Sequence, residues 1–327
     1  MFYDGVAPEP YTLETLKVKS LGGTEASCIR IVSKLAIDGY NVVLAQRNRI
    51  NYHSGSLGLG SITYCPLEAD FADKSFDVVI SLRDAGHYLK NKEKYPKAKH
   101  YLWMHDVVGG DYRDHMNYHL NGKESDLICV SNWHKRNILY NVNAKLNVKR
   151  IYGPLADYCT KTSAAHDPYK LIFFSSPHKG LKGTLEIFVK LRKKDPNFYL
   201  KISNPGYFAD AKDLPEGVTS LGSLPHHSIL MDQVRGSLCT FYPNTVFEET
   251  FGLVMAESDA VGTPVLAHPI GAAPEVLSHP KELLDCNDHD KVIERVLAWQ
   301  GGERPIVKAK LEFMMNEVIK EWKKILA

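Results

Sequence analysis

The sequence predicts an α/β chain built of two Rossmann-like domains that face each other across a cleft. Three observations carry this expectation. The chain has 327 residues, more than one hydrophobic core usually supports. Short β-branched runs alternate with amphipathic segments, the rhythm of a parallel sheet with crossover helices. That rhythm breaks near residues 151–170 and then starts again.

In the first half the expected strands are Asn41–Ala45, Phe76–Ser81, His100–Met104 and Leu127–Val130. The expected helices are Thr24–Asp38, Asp84–Lys90 and Asn132–Tyr140. Ala26, Ile29, Val32 and Leu35 or Ala36 recur at helical spacing, and Gly39 follows as a C-terminal stop. Phe2-Tyr3-Asp4 is too short to convince as an opening strand, and residues 5–21 read as an irregular loop containing proline.

Ile151-Tyr152-Gly153-Pro154 reads as a turn and Tyr158–Asp167 as a polar linker. Beyond it, strands are expected at Leu171–Phe174, Phe198–Ile202, Ser237–Tyr242 and Pro264–Ala267. Helices are expected at Leu181–Lys194, Gly252–Val261, 290–298 and 307–326. In the last, Leu311, Met315, Val318 and Trp322 fall on one face. The implied division is residues 1–153, residues 154–304, and a closing helix over 305–327. No repeat or low-complexity tract is evident.

Hydrophobic residues make up 44% and charged residues 24% of the chain, which is ordinary globular composition. Lys plus Arg number 40 against 38 Asp plus Glu, so no basic excess points to nucleic acid. The six cysteines, Cys28, Cys65, Cys129, Cys159, Cys239 and Cys286, form no CxxC pair and show no zinc-like spacing with histidine. Free thiols in a reducing compartment are expected. No run of about 18 apolar residues suggests a membrane span. Met1-Phe2-Tyr3-Asp4-Gly5 lacks a signal-peptide pattern. The expectation is a cytoplasmic protein with membrane contact at most peripheral.

Ligands of such sheets bind at the C-terminal ends of strands, and the sequence is richest there. Residues 242–276 hold Glu249 and Glu257, with Phe251-Gly252-Leu253 between them at the expected start of a helix. Backbone N–H groups at a helix start favour an anion. Carboxylates hold hydroxyl-rich ligands well. One glutamate can therefore grip a sugar and the other a ribose, with a diphosphate on the helix amides between them. Leu21-Gly22-Gly23-Thr24-Glu25 opens the first long helix, where glycines allow close approach to a phosphate. Ser175-Ser176-Pro177-His178-Lys179-Gly180-Leu181-Lys182-Gly183 follows the first strand of the second half and supplies two cations. Trp103-Met104-His105-Asp106 ends a first-half strand, and Ser131-Asn132-Trp133-His134 follows the next one.

Glu249-Thr250-Phe251-Gly252, Glu257 and Gly262-Thr263-Pro264-Val265 together resemble the retaining glycosyltransferases of family 4, which have the GT-B fold. The Gly22-Gly23-Thr24-Glu25 loop, the Lys179–Lys182 segment and His105 fit the same family in the same order. The resemblance implies that Glu249 holds the donor sugar and Glu257 the ribose. It implies phosphate contacts from Gly23, Lys179, Lys182, Phe251, Gly252 and Leu253, and a sugar contact from His105. Lys179 stands where arginine is common, which loses the bidentate fork and leaves the division of labour between Lys179 and Lys182 open. Asn204-Pro205-Gly206 and Leu221-Gly222-Ser223 would read the base.

The implied catalytic set is Glu249, His105 and Lys179, acting on a UDP- or GDP-linked sugar with retention and without a required cofactor or metal. The acceptor would be a glycan, lipid or small molecule. No Asp-x-Asp lies at a strand end, as metal-dependent transferases of the other common fold would show. A P-loop, a GxGxxG fingerprint and a GxSxG elbow are also absent; Gly55–Gly60 has the wrong order. A sugar-nucleotide epimerase of the same fold and an inactive nucleotide-sugar-binding protein are the alternatives.

Overall fold

The structure is a computed structural model that describes residues 1–69, 71, 75–203, 213–224 and 226–327. Asn204-Pro205-Gly206, assigned above to the base, lies outside the described residues. The chain divides into two units. The first comprises residues 1–14, 23–154 and 316–327, and the second residues 15–22 and 155–315.

In the first unit the strands are β1 (Phe2–Asp4), β2 (Asn41–Gln46), β3 (His53–Leu57), β4 (Gly60–Pro66), β5 (Val78–Leu82), β6 (Lys99–Trp103), β7 (Glu124–Cys129) and β8 (Lys145–Arg150). The helices there are α2 (Gly23–Ile37), α3 (Ala85–Lys94), α4 (Gly110–Leu120) and α5 (Asn132–Asn141). A short α1 (Leu13–Val18) precedes them and straddles the division between the units. The sheet runs β3-β4-β2-β1-β5-β6-β7-β8, parallel except for the β3–β4 hairpin.

Several of these elements correct the reading above. The opening strand exists and lies at the middle of its sheet. Phe2 pairs with Leu44 on one side and Ile80 on the other. Its three residues hold because both edges are hydrogen-bonded, a support that a short apolar run does not display. Residues 5–21 are not wholly irregular, since α1 lies among them. Gly55–Gly60 belongs to the β3–β4 hairpin. Strand β8 and helix α4 escaped notice because both are largely polar. In β8 only Val148 is buried, as suits an edge strand, and α4 buries only Met116 and Leu120.

The second unit has β9 (Asp167–Phe173), α6 (Leu181–Lys194), β10 (Tyr199–Ser203), β11 (Val218–Gly222), α7 (His227–Arg235), β12 (Ser237–Tyr242), α8 (Leu253–Ala260), β13 (Val265–Ala267), α9 (Ala273–Val276) and α10 (His289–Ala298). Its sheet is parallel, in the order β11-β10-β9-β12-β13. The last helix, α11, spans Met315–Leu326. The expected helix over 307–326 therefore starts too early. Leu311 sits in a separate 3-10 turn and is exposed, so it does not share the apolar face. From α11, Trp322 packs on Phe2 and Trp103 in the first unit, with ring centroids 5.6 and 4.7 Å apart.

Both sheets place their first strand between neighbours reached by opposite crossovers. A parallel sheet of this order opens a crevice outside the C-terminal ends of the two strands at that reversal. In the first unit these strands are β1 and β5, and in the second β9 and β12.

Trp322 is fully buried. Trp322→Ala is expected to destabilise the first unit by about 3–5 kcal/mol. Denaturant unfolding followed by circular dichroism would measure it, and a loss below about 0.5 kcal/mol would contradict the packing described for α11.

Candidate active site

In the second unit, Thr240 of β12 registers with Ile172 of β9, so both strands end side by side. From β9 the chain turns through Ser176, whose carbonyl accepts from the Lys179 N–H at 2.9 Å. From β12 it enters a loop that Asn244 organises. The Asn244 carboxamide oxygen accepts from the Val246 and Phe247 N–H groups at 3.1 and 3.0 Å, and its amide donates to the Phe247 carbonyl at 2.6 Å. These turns bring Lys179 and Glu249 together across 70 residues of sequence.

The Lys179 ammonium donates to both Glu249 carboxylate oxygens at 3.0 Å. Tyr242 donates its hydroxyl to Glu249 Oε1 at 2.8 Å. Burial, followed by the Glu249 charge, pushes the Tyr242 hydroxyl well above its ordinary pKa, so it stays a donor. The Phe247 ring lies 4.4 Å from Lys179 Nζ. Glu249 is only 8% exposed, so its charge is held by these two donors with little help from water.

Two glycines make the surrounding loop possible. Gly252 precedes α8 with φ 84°. Gly271 has φ 59°, and a Cβ there would stand 2.7 Å from the backbone N and O of Glu249. The following Ala272 N–H donates to the Glu249 carbonyl at 2.8 Å. Glu249 is thus fixed at its backbone as well as at its carboxylate.

The other expected residues fall into place around this pair or apart from it. The Phe251 ring is buried edge-on against Phe313, so only its backbone can serve a ligand. Leu253 opens α8, and Glu257 is buried on that helix. His227, the first residue of α7, points Nε2 to Glu257 Oε2 at 3.4 Å, while its Nδ1 lies 3.0 Å from the Tyr158 hydroxyl. Lys182 is exposed on α6 and lines a groove of about 720 Å³ with Pro177, Leu185, Val189 and His289. None of the residues lining that groove belongs to the Glu249 cluster. Leu221-Gly222-Ser223 forms the end of edge strand β11 and the residue after it.

In the first unit, Gly23 is exposed at the start of α2. His105 follows β6 and packs its ring 4.4 Å from that of Trp103. Burial, then the nearby Arg83 cation, holds His105 well below the usual histidine range, so the ring is neutral near pH 7. His134 is neutral too, lowered to about 4 by burial. Its Nδ1 accepts from the Val130 N–H and its Nε2 donates to the Asp106 carbonyl.

Several residues of both sites went unnoticed in the sequence. Tyr242 and His227 touch the glutamates, Asn244 shapes the loop that carries Glu249, and Tyr158 meets His227, but nothing in their spacing announces it. In the first unit, Asp4 ends β1 and Arg83 follows β5. Arg83 Nη2 lies 3.0 Å from Glu25 and 3.8 Å from Asp4. Asp4 also accepts from the Tyr11 hydroxyl at 2.8 Å and from two backbone N–H groups.

Two Rossmann-like units with sheets of this order are the architecture of the GT-B fold, which the structural likenesses below also show. Residues 161–308 match the family model for glycosyl transferases group 1. Sucrose-phosphate synthase from Thermosynechococcus elongatus superposes with TM-score 0.72 at 15% identity, over 99% of this chain and 97% of that one. Anabaena HepE, solved in complex with UDP-glucose, gives TM-score 0.67 at 16% identity, over 99% and 98%. At such identities these two likenesses speak for the fold. None of the curated proteins matches the chain. The family match lies within the second unit, which resembles a group 1 glycosyltransferase domain.

A buried acid elsewhere on α8 gives a pH test of this unit. Burial, then the neighbouring Glu282 carboxylate, pushes Asp259 up to about 9. Folding therefore takes up a proton between the ordinary carboxyl value and about 9. Stability from this group is full at acid pH and falls as pH rises through that window, by about 1.4 kcal/mol per pH unit. Asp259→Asn keeps the neutral form. It is expected to be the more stable protein, with a margin that widens from pH 5 to pH 8 in thermal melts. A constant or shrinking margin would remove the protonated acid from the account.

Proposed function

We propose that this chain moves a hexose-type sugar, with retention and without a required metal, from a nucleoside diphosphate donor to a hydroxyl acceptor on a glycan, lipid or small molecule. The observation that carries the proposal is the Lys179–Glu249–Tyr242 cluster at the strand reversal of the second unit. Donor hydroxyls are good partners for a fixed, buried carboxylate, and a leaving diphosphate needs fixed positive charge. HepE, solved with UDP-glucose, supports UDP as the first nucleotide to try, with GDP next.

The roles follow from this chain's own groups. Glu249 holds a hydroxyl of the donor sugar. Lys179 gives two N–H groups to Glu249 and has a third for the diphosphate. Backbone N–H groups at Gly252, Leu253 and the first turn of α8 take the remaining phosphate charge, helped by the helix dipole. Glu257 accepts from ribose hydroxyls. Gly23 is assigned to phosphate and His105, as a neutral imidazole, to a sugar hydroxyl. Lys182, being exposed away from Glu249, is assigned at most a secondary, long-range part. With no covalent nucleophile assigned, the acceptor attacks from the face the diphosphate leaves, through an oxocarbenium-like state.

Thermal melts with UDP, GDP and ADP test the donor side. A nucleotide at about 100 times its Kd is expected to stabilise the protein by about 2.7 kcal/mol, and EDTA should not reduce the effect. Stabilisation by none of them would overturn the proposal. Glu249→Gln is expected to lower kcat by about 10²- to 10³-fold with the fold intact. Transfer at the parent rate would take Glu249 out of the chemistry.

A further inference from the structure

We propose that Cys159, His227 and Glu257 form a binding site for a zinc-like divalent cation in the second unit, and that the ion excludes the donor nucleotide. One ligand atom from each side chain lies within 4.8 Å of the other two. Cys159 and Glu257 are buried and His227 is half-buried. The exclusion of nucleotide, but not the metal site, rests on the proposed grip of Glu257 on the ribose.

The donor set selects the metal. Thiolate, imidazole and carboxylate together suit zinc and its borderline neighbours, whereas magnesium and calcium take oxygen ligands. Tetrahedral zinc bonds of about 2.0–2.2 Å to nitrogen and oxygen place those two atoms about 3.4 Å apart. His227 Nε2 and Glu257 Oε2 are 3.4 Å apart. Three protein ligands leave a fourth position for water.

The support around the ligands is also present. Tyr158, the residue before Cys159, meets His227 Nδ1 at 3.0 Å, the outer contact that orients a ligating imidazole. His226 caps α7 by accepting from the Ser228 N–H at 3.1 Å, which fixes where the helix, and so His227, begins. Glu257 is carried rigidly within α8. The ligands come from three separate stretches of chain, so no spacing motif could reveal them.

Binding deprotonates the Cys159 thiol, whose proton goes to solvent, and a thiolate–metal bond forms without any redox change. The ion neutralises the thiolate and the carboxylate. It also occupies the Glu257 oxygen that the ribose hydroxyls would need.

The full chain, freed of metal with EDTA and desalted, would be titrated with Co²⁺ and then Zn²⁺. The expected result is a thiolate-to-cobalt absorption band at one equivalent, bleached by Zn²⁺, with release of about one proton. Cys159→Ser and His227→Gln should lose the band, while Cys65→Ala, in the first unit, should keep it. Tyr158→Phe should weaken binding by about 10-fold or more. Thermal melts report folding of each variant. A folded parent protein without the band, or a band that survives in Cys159→Ser, overturns the site. UDP is expected to raise the apparent Kd for Co²⁺. If UDP stabilises the protein but leaves Co²⁺ binding unchanged, the metal site stands and the exclusion falls, along with the ribose role of Glu257.

Discussion

The ion pair between Lys179 and Glu249 is the constraint on which the second unit's chemistry depends. A carboxylate so little exposed needs its charge matched, and a single loss on either side leaves the other charge uncompensated. The pair therefore ties the loop after β9 to the loop after β12. The parallel register sets the ends of those strands side by side, and the turns at Ser176 and Asn244 aim the two side chains at each other. Tyr242 and the backbone contact from Ala272 then remove the remaining freedom of Glu249. A sugar hydroxyl would meet a carboxylate already in place, which is the sense in which such a site is preorganised.

The first unit has the same central strand order and different chemistry at the same point. There the buried acid is Asp4, and its cation is Arg83, which also reaches Glu25 at the start of α2. Arg83 holds φ 63°, a left-handed conformation that a side chain adopts at a cost. Its backbone is held there from two sides: its N–H donates to the Trp103 carbonyl, and its own carbonyl accepts from the Tyr112 hydroxyl. Such a conformation persists only where its surroundings over-determine it. Two acids share this one arginine. The repeated topology supplies two crevices whose strand ends differ: an arginine shared by two acids in the first, and a lysine paired with one buried glutamate in the second.

The sequence made the fold class legible because helical and strand periods differ, and α6 and β12 were placed to the residue. It failed where an element's stability comes from neighbours. β1 is three residues long and is made a strand by pairing on both edges. β8 and α4 are polar because they face water on most sides. At the site, Glu249, Glu257 and Phe251-Gly252 stood out because a fixed spacing along one strand–helix turn is a local property. Tyr242 donates to Glu249 from the strand itself, where it reads as an ordinary core aromatic. Tyr158, Cys159 and His227 converge on Glu257 from separate stretches of chain, and a linear reading has no period in which to see that. Lys182 is a separate case. It sits three residues from Lys179, close to one helical turn, yet Lys179 lies in the turn before α6, and only Lys179 meets Glu249.

Helix α8 carries an unusual load for a buried helix. Glu257 and Asp259 are both buried on it, and Glu249 and Glu282 lie buried beside its two ends. Ser258 joins Thr240 of β12 by a 2.7 Å hydrogen bond between them. Four buried acids cannot all be charged beside one well-placed lysine. The structure resolves this group by group. Lys179 neutralises Glu249, a raised pKa keeps the proton on Asp259, and Glu282 accepts from the Val265 and His279 N–H groups. Glu257 has His227 beside it. Since Lys179 is already engaged with Glu249, a bound diphosphate cannot draw its whole counter-charge from that side chain. In the proposed reaction the positive N-terminal end of α8 would supply a large share, and the Gly252 turn is what starts that helix directly after the loop that carries Glu249.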